Sequence, residues 1–191
     1  MSDTNIVEFG VREVHMGTYT VGETGEVTLG KPVALPGAVS ISLESNSDSN
    51  DFYADDTIYW SGYTDAGMSI TLEVARFPDA IKTQFLAYKG TKDGGIAKIK
   101  GAKKPSVYIA FESEGDKQSR RGLLLNCSLG DIKREYKTTE DKTDPDTESI
   151  EGKVVGDNKT GITMITYNPG DAGYSTLFTA PKVPEVGEAS V

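Results

Sequence analysis

Residues 36–88 read PGAVSISLESNSDSNDFYADDTIYWSGYTDAGMSITLEVARFPDAIKTQFLAY, and this stretch decides the fold. Val39, Ile41 and Leu43 alternate with Ser40, Ser42 and Glu44; Met68, Ile70, Leu72 and Val74 alternate with Ser69, Thr71 and Glu73. A period of two puts each apolar set on one face of a strand and each polar set on the other. Between them, Ser45–Asp51 reads as a polar loop and Phe52–Tyr63 as a hairpin or extended arm. That arm holds Phe52-Tyr53-Ala54-Asp55-Asp56-Thr57-Ile58-Tyr59-Trp60, aromatics set around a carboxylate pair. After the second strand the period changes. Ile81, Phe85 and Tyr88 at i, i+4 and i+7 predict an amphipathic helix over about 78–89. Pro78 suits its first position, where the missing N–H costs nothing. Asp79 complements the helix dipole, and Gly90 is placed to end it.

Working outward, Val11–Val21 reads as a strand interrupted at Gly17, and Val27–Leu29 as a short strand before the breakers Lys31-Pro32 and Leu35-Pro36-Gly37. Downstream, Ile96–Lys100 is a short strand. Val107, Ile109 and Phe111 alternate with Tyr108, Ala110 and Glu112 in a strong one. Its partner is Arg120–Tyr136, where Leu123, Leu125, Cys127 and Leu129 are expected to share a face. After Gly130 the apolar parity shifts to Ile132, which predicts a β-bulge. Thr138–Thr147 is a polar, acidic loop. Ile150–Val155 and Ile162–Tyr167 are the last strands, joined by a turn at 156–159. From Asn168 onward Gly and Pro recur without a period, so the sequence predicts an extended tail whose Phe178 and Pro181 dock on a neighbour. The expected fold is mainly β, with one helix covering a sheet. Residues 1–167 form one domain with an N-terminal arm and a 45–63 hairpin, and 168–191 form an extended C-terminal tail.

The totals agree. A chain of 191 residues can bury a normal core without staples, and 21 glycines with few long apolar runs favour strands over a helical bundle. The single Cys127 has no partner in the chain for a disulfide. No apolar run approaches the ~20 residues that span a bilayer, so no membrane association is expected. Met1-Ser2-Asp3-Thr4-Asn5 lacks the basic and apolar regions of a secretion signal. The sequence therefore predicts a protein made and kept in a cytosol, or one that leaves it only by cell lysis or a dedicated route. A net charge of −9 argues against tight wrapping of nucleic acid, which needs a basic stripe. Charge is also segregated: no Lys or Arg occurs between Lys31 and Arg76, whereas residues 76–137 are net basic. That pattern suits complementary faces that meet between copies, as well as an ordinary mixed surface.

Catalytic chemistry finds little footing. His15 is the one histidine and has no neighbouring group in sequence to orient it as a base. Cys127 lies among leucines, where a thiol is inert. One His and one Cys do not make a zinc site of nitrogen and sulfur ligands within a subunit. The segment Asp141-Lys142-Thr143-Asp144-Pro145-Asp146-Thr147-Glu148 has oxygen ligands but not the glycine and spacing of a calcium loop. The same holds for Asp48, Asp51, Asp55 and Asp56. There is no phosphate-binding loop or dinucleotide fingerprint. Asn158-Lys159-Thr160 has the spacing of a glycosylation acceptor, without a secretion signal to give it meaning. No catalytic residue, cofactor or metal is assigned.

The order of strand, Asn50-Asp51-Phe52-Tyr53-Ala54-Asp55-Asp56 hairpin, strand and helix resembles the major tail proteins of long-tailed, non-contractile phages of Gram-positive bacteria. Phe9-Gly10-Val11-Arg12-Glu13-Val14-His15 resembles the opening strand of that family, and Pro36-Gly37-Ala38-Val39-Ser40-Ile41 the strand that follows. Glu73-Val74-Ala75-Arg76-Phe77-Pro78 leads into the helix, and Arg120-Arg121-Gly122 to Cys127 resembles a later strand. The resemblance covers roughly residues 9–155, loose in spelling and specific in order; the immunoglobulin-like domain of some relatives is expected to be missing. It implies a β-sandwich or barrel-like tail tube fold with a flanking helix. It also implies six-copy rings stacked into a tube around a tape-measure protein, in contact with distal tail and tail terminator proteins. DNA would pass the lumen only transiently. The setting would be a virion, after assembly in the host cytoplasm.

Two sets of residues follow from that expectation. Ser40, Ser42, Glu44, Ser69, Thr71, Glu73, Glu112 and Glu114 are small or acidic residues opposite the apolar faces, suited to a lumen that repels phosphate within a Debye length of ~8 Å. They suit the solvated face of an ordinary sandwich as well. Phe52, Tyr53, Asp55, Asp56, Tyr59 and Trp60 are expected to contact the adjacent subunit, since aromatics anchor interfaces; a hairpin folded on its own core is the other reading. Two rivals remain open: a carbohydrate-binding sandwich using Tyr59, Trp60 and Tyr63 as a stacking platform, and a secretion-system tube protein of related fold. Reversing Glu44 and Glu73 to Lys is expected to leave tails assembled while impairing DNA delivery. Assembled particles that deliver DNA normally would remove the lumen assignment.

Overall fold

A computed structural model describes residues 10–54, 57–113, 119–136 and 146–185, with side chains described throughout these except at 47–61 and 63–66. The fold is mainly β and antiparallel, a sandwich-like arrangement with a single helix. Its strands are β1 (Val11–Val21), β2 (Val27–Leu29), β3 (Val33–Ala34), β4 (Ala38–Ala54), β5 (Thr57–Val74), β6 (Tyr88–Gly90), β7 (Ile96–Lys98), β8 (Val107–Ser113), β9 (Arg121–Arg134), β10 (Glu148–Val154) and β11 (Met164–Tyr167). The helix α1 spans Asp79–Phe85. The main sheet runs β2-β1-β8-β9-β10-β5-β4, with β3 on β1 and β11 on β9, while β6 and β7 pair apart from it.

The alternation read from the sequence sets the inner face. Ile70, Leu72 and Val74 of β5 and Val107 and Ile109 of β8 point into one core. So do Leu124, Cys127 and Leu129 of β9, and Ile150 and Val154 of β10. Phe77, Ile81 and Phe85 carry α1 into the same core. The helix is shorter than its periodicity predicts. Pro78 stands as the N-cap, with extended ψ of 149°. The helix closes at Leu86, whose N–H donates to the Lys82 carbonyl at 3.2 Å. Ala87 then takes a left-handed φ of 57° and redirects the chain into β6, so Tyr88 is a strand residue and Gly90 does not terminate the helix.

A second core lies on the opposite face of β8 and β9. Tyr108, Ala110, Leu123 and Leu125 are fully buried there beneath Leu177, with Phe178, Ile165 and Val183 packed around them. The C-terminal stretch through Val183 is therefore a strap folded over its own sheet, which corrects the extended tail. Buried on both faces, β8 has no solvent side, and its tidy alternation sorts residues between two cores. Tyr108 also explains Gly17. A Cβ at Gly17 would lie 2.3 Å from the Tyr108 ring, so the glycine admits the ring and does not interrupt β1.

Two irregularities reassign faces. Asn126 adopts a φ of 53°, and three steps of β9 from Leu124 to Cys127 oppose two steps of β8 from Ile109 to Val107. This bulge puts Leu123 and Leu125 in one core and Leu124, Cys127 and Leu129 in the other, contrary to the single shared face expected. The bulge expected after Gly130 is present, with Ile132 opposite Ile150 and Leu129 opposite Gly152. Beyond it, β10 and β11 lie end to end along one edge of β9, Val154 opposite Cys127 and Met164 opposite Leu124. The connection at 155–163 is thus a loop thrown out of one continuous line, not a hairpin turn.

Leu177→Ala is expected to lower stability by about 2–5 kcal/mol, the usual cost of such a truncation in a closed core. Urea unfolding measures it; a loss below about 0.5 kcal/mol would mean the strap contributes nothing to the fold.

Candidate assembly surfaces

Three surfaces stand out from the packed body. The first is a ribbon made by the two longest strands. β4 has 17 residues and β5 has 18, against a typical strand of about 5–6. They pair with each other from Ala38–Val74 out to Ala54–Thr57. β5 meets β10 only over Met68–Val74. Residues 57–67 and their β4 partners therefore leave the sheet as a two-stranded ribbon. At ~3.3 Å per residue it extends about 35 Å. The expected polar loop at Ser45–Asp51 is strand, and the expected 45–63 arm is longer and regular. Backbone at Phe52, Tyr53, Tyr59 and Trp60 belongs to the paired strands; Asp55 and Asp56, and the side chains of those aromatics and of Tyr63, lie outside the described residues.

The second surface is the outer side of β4, β5 and β10. Register sets Ser40 opposite Glu73, Ser42 opposite Thr71 and Glu44 opposite Ser69. On the other side of β5, Glu151 lies opposite Thr71 and Lys153 opposite Ser69. Ser40, Ser42, Glu44 and Thr71 are exposed, and Ser69 and Glu73 partly so. Short polar contacts tie the face together: Ser40 Oγ donates to Glu73 at 3.2 Å, Thr147 Oγ1 to Glu73 at 2.6 Å, and Lys133 pairs with Glu151. Six of the eight candidate lumen residues thus form one contiguous, small and mildly acidic patch. Glu114 lies outside the described residues. Glu112 does not join the patch. It is 4% exposed and accepts hydrogen bonds from Arg12 Nε at 2.9 Å and Arg121 Nε at 2.8 Å. Burial disfavours its charge, but the two guanidiniums outweigh that and hold its carboxyl below the usual 4.5.

Arg121 also anchors the strap. Its guanidinium lies 4.0 Å from the Tyr174 ring centroid and 4.5 Å from that of Phe178, and it donates to the Tyr174 carbonyl at 2.7 Å. His15 stacks on the other ring partner, Phe178, at 4.7 Å. Phe178 is thereby spent within the chain. A similar economy holds at the opposite end of the acidic loop. Glu148 is 4% exposed, pairs with Arg134 and accepts the Phe77 N–H at 2.9 Å, joining β10 to the entry of α1. Asp157 accepts from the Tyr19 hydroxyl at 2.8 Å and from the Thr160 hydroxyl and N–H at 2.7 and 2.8 Å, which holds the 155–163 loop on β1.

The third surface escaped residue-level reading. A cleft of about 760 Å³ is lined by Leu86, the 98–104 loop, and Ser128 and Asp131 of β9. Lys98, Lys100 and Lys103 are exposed along it. Asp131 receives Lys98 at 2.8 Å and Lys104 at 2.7 Å, and Lys104 also donates to the Gly130 carbonyl. The Lys104 bond first, then that of Lys98, pulls the Asp131 carboxyl down to about 2. The net basic character of 76–137 was the available signal; the clustering was not, since it depends on the turn at Gly101.

Cys127 is fully buried, and burial pushes its thiol up to about 12, so it stays protonated at neutral pH. Among the described residues no group of three or more His, Cys, Asp or Glu side chains is placed to hold a metal ion, and no helix is long and apolar enough to cross a membrane.

No protein-family model matches the chain, and no curated protein matches it. Solved structures do. The tube-terminating cap of the anti-feeding prophage is similar at 13% identity and a TM-score of 0.47, over 87% of this chain and 96% of that one. The sheath/tube terminator of PVC, an extracellular contractile injection system, is similar at 11% identity and 0.47, over 85% and 99%. A chain of the extended PVC sheath-tube complex is similar at 10% identity and 0.45, over 82% and 88%.

Replacing Glu112 by Gln is expected to lower the melting temperature at pH 7. The folded-state pKa of Glu112 is depressed, so its stabilisation is present above pH ~4.5 and is lost as pH falls through the folded value. The gap between wild type and variant should therefore close on acidification below about pH 4.5. A gap that stays constant from pH 7 to 3 would show that the carboxylate charge is not what the two arginines hold.

Proposed function

We propose that this chain is a structural subunit of a tail-like tube, self-associating into rings that stack around a lumen. The observation that carries this reading is the β4–β5 ribbon. Two-stranded hairpins are marginal in water by themselves, and the exposed edges of long strands invite pairing. A ribbon of about 35 Å with no further strand beside it among the described residues is best supported by a surface on another subunit. The resemblance of the 50–56 hairpin and its flanking strands to siphophage major tail proteins supports the same role. The small acidic patch on β4 and β5 suits a lumen that lets DNA pass without holding it.

In this reading the chain is not an enzyme. It acts through contacts with copies of itself, six to a ring by the family pattern, and with tape-measure, distal tail and terminator proteins. Phe52, Tyr53, Tyr59 and Trp60 are the contact aromatics. The tube would belong to a virion assembled in the host cytoplasm, and would conduct DNA during ejection.

Negative-stain electron microscopy over a concentration and salt series tests the reading, with hollow rings or tubes expected. A uniform monomer under all conditions would overturn it and direct attention to glycan binding. Phe52→Ala with Trp60→Ala is expected to abolish tubes while leaving a monomer with an unchanged circular dichroism spectrum. Normal tubes from that double variant would exclude the ribbon as the joint.

A further inference from the structure

The lysines of the cleft play no part in the packed cores, and charge argues what fills it. Lys98, Lys100 and Lys103 are exposed on a short loop, and the lining supplies one carboxylate, Asp131, which Lys98 and Lys104 already share. The cleft is therefore net positive on a chain whose net charge is −9. The ribbon is its complement. Its strands carry Asp48, Asp51 and Asp65, and no Lys or Arg occurs anywhere between Lys31 and Arg76. Among the described residues, none from the ribbon lines the cleft of its own chain. We propose that the acidic ribbon of one copy docks in the Lys98–Lys104 cleft of a second copy. This rests on the assembly reading above and names the surface that receives the arm.

The physics sets what such a contact does. Exposed ion pairs are individually weak, so several must act together, and most of their effect is on encounter and register. Repulsion between two ribbons, or between two lysine loops, disfavours the wrong pairings. The contact is also screened by salt, whereas apolar burial is not. The paired Lys98 and Lys104 hold the loop on β9 through Asp131, leaving Lys100 and Lys103 to meet the partner.

The test is a charge swap read by sedimentation velocity at about 50 mM NaCl, where screening is weak. The variants are Lys100→Glu/Lys103→Glu and Asp48→Lys/Asp51→Lys, with Lys100→Gln/Lys103→Gln as a milder form should reversal disturb folding, checked by thermal melting. Each variant alone is expected to weaken self-association about tenfold or more. An equimolar mixture of the two reversed variants restores it, because each supplies the charge the other lacks. Wild-type self-association is expected to weaken on raising NaCl to about 500 mM. Assembly of Lys100→Glu/Lys103→Glu indistinguishable from wild type overturns this docking and leaves the tube reading intact. Assembly unaffected by the swap, with a DNA duplex lost from the cleft instead, also overturns it. A wild-type chain that stays monomeric throughout overturns the docking and the tube reading together.

Discussion

Burial of β8 and of the 122–127 stretch of β9 on both faces is the constraint on which the rest of the structure depends. Val107 and Ile109 face one core while Tyr108 and Ala110 face the other. Two layers must cover that central pair. On one side the sheet curls, bringing β1, β5 and β10 over a shared interior that α1 enters with Phe77, Ile81 and Phe85. On the other side the strap lays Leu177 and Phe178 on the sheet. Each large apolar residue buried in this way contributes about 1.5–3 kcal/mol, and neither layer can be removed without exposing a strand that has no polar face.

Buried charge is arranged to reinforce the same centre. Glu112 links β8 to Arg12 of β1 and Arg121 of β9, and Arg121 continues the chain of contacts to Tyr174 and Phe178 of the strap. Glu148 does similar work where β10 meets the start of α1. A buried carboxylate without partners is costly, so these residues specify which elements come together more than they add stability. Among the described residues, acids such as Glu44, Asp131 and Glu151 are instead exposed.

That separation gives the molecule a rigid body and one long projection. The body satisfies its own strands. The ribbon has paired its two strands with each other beyond the sheet, while the loop after β7 offers lysines.

Period-two alternation at Val39–Leu43, Met68–Val74 and Val107–Phe111 determined the strands, and the parity break after Gly130 located a bulge, because side-chain direction along a strand is a local property. Charge blocks were equally legible, though not where they would gather. The tertiary structure alone decided what lay on the far side of each face. Glu112 reads as an outward residue by parity, but Arg12 arrives from β1, a hundred residues away. Residues 168–183 have no period and read as a tail, yet Leu177 finds an apolar surface that exists only once β8 and β9 are paired. The Asn126 bulge turns Leu123 and Leu125 away from Cys127, and the stop at Ala87 ends a helix whose apolar stripe continues to Tyr88. In each case a long-range contact or a single backbone dihedral outweighed a local pattern, since burial rewards the whole fold and periodicity records only the segment.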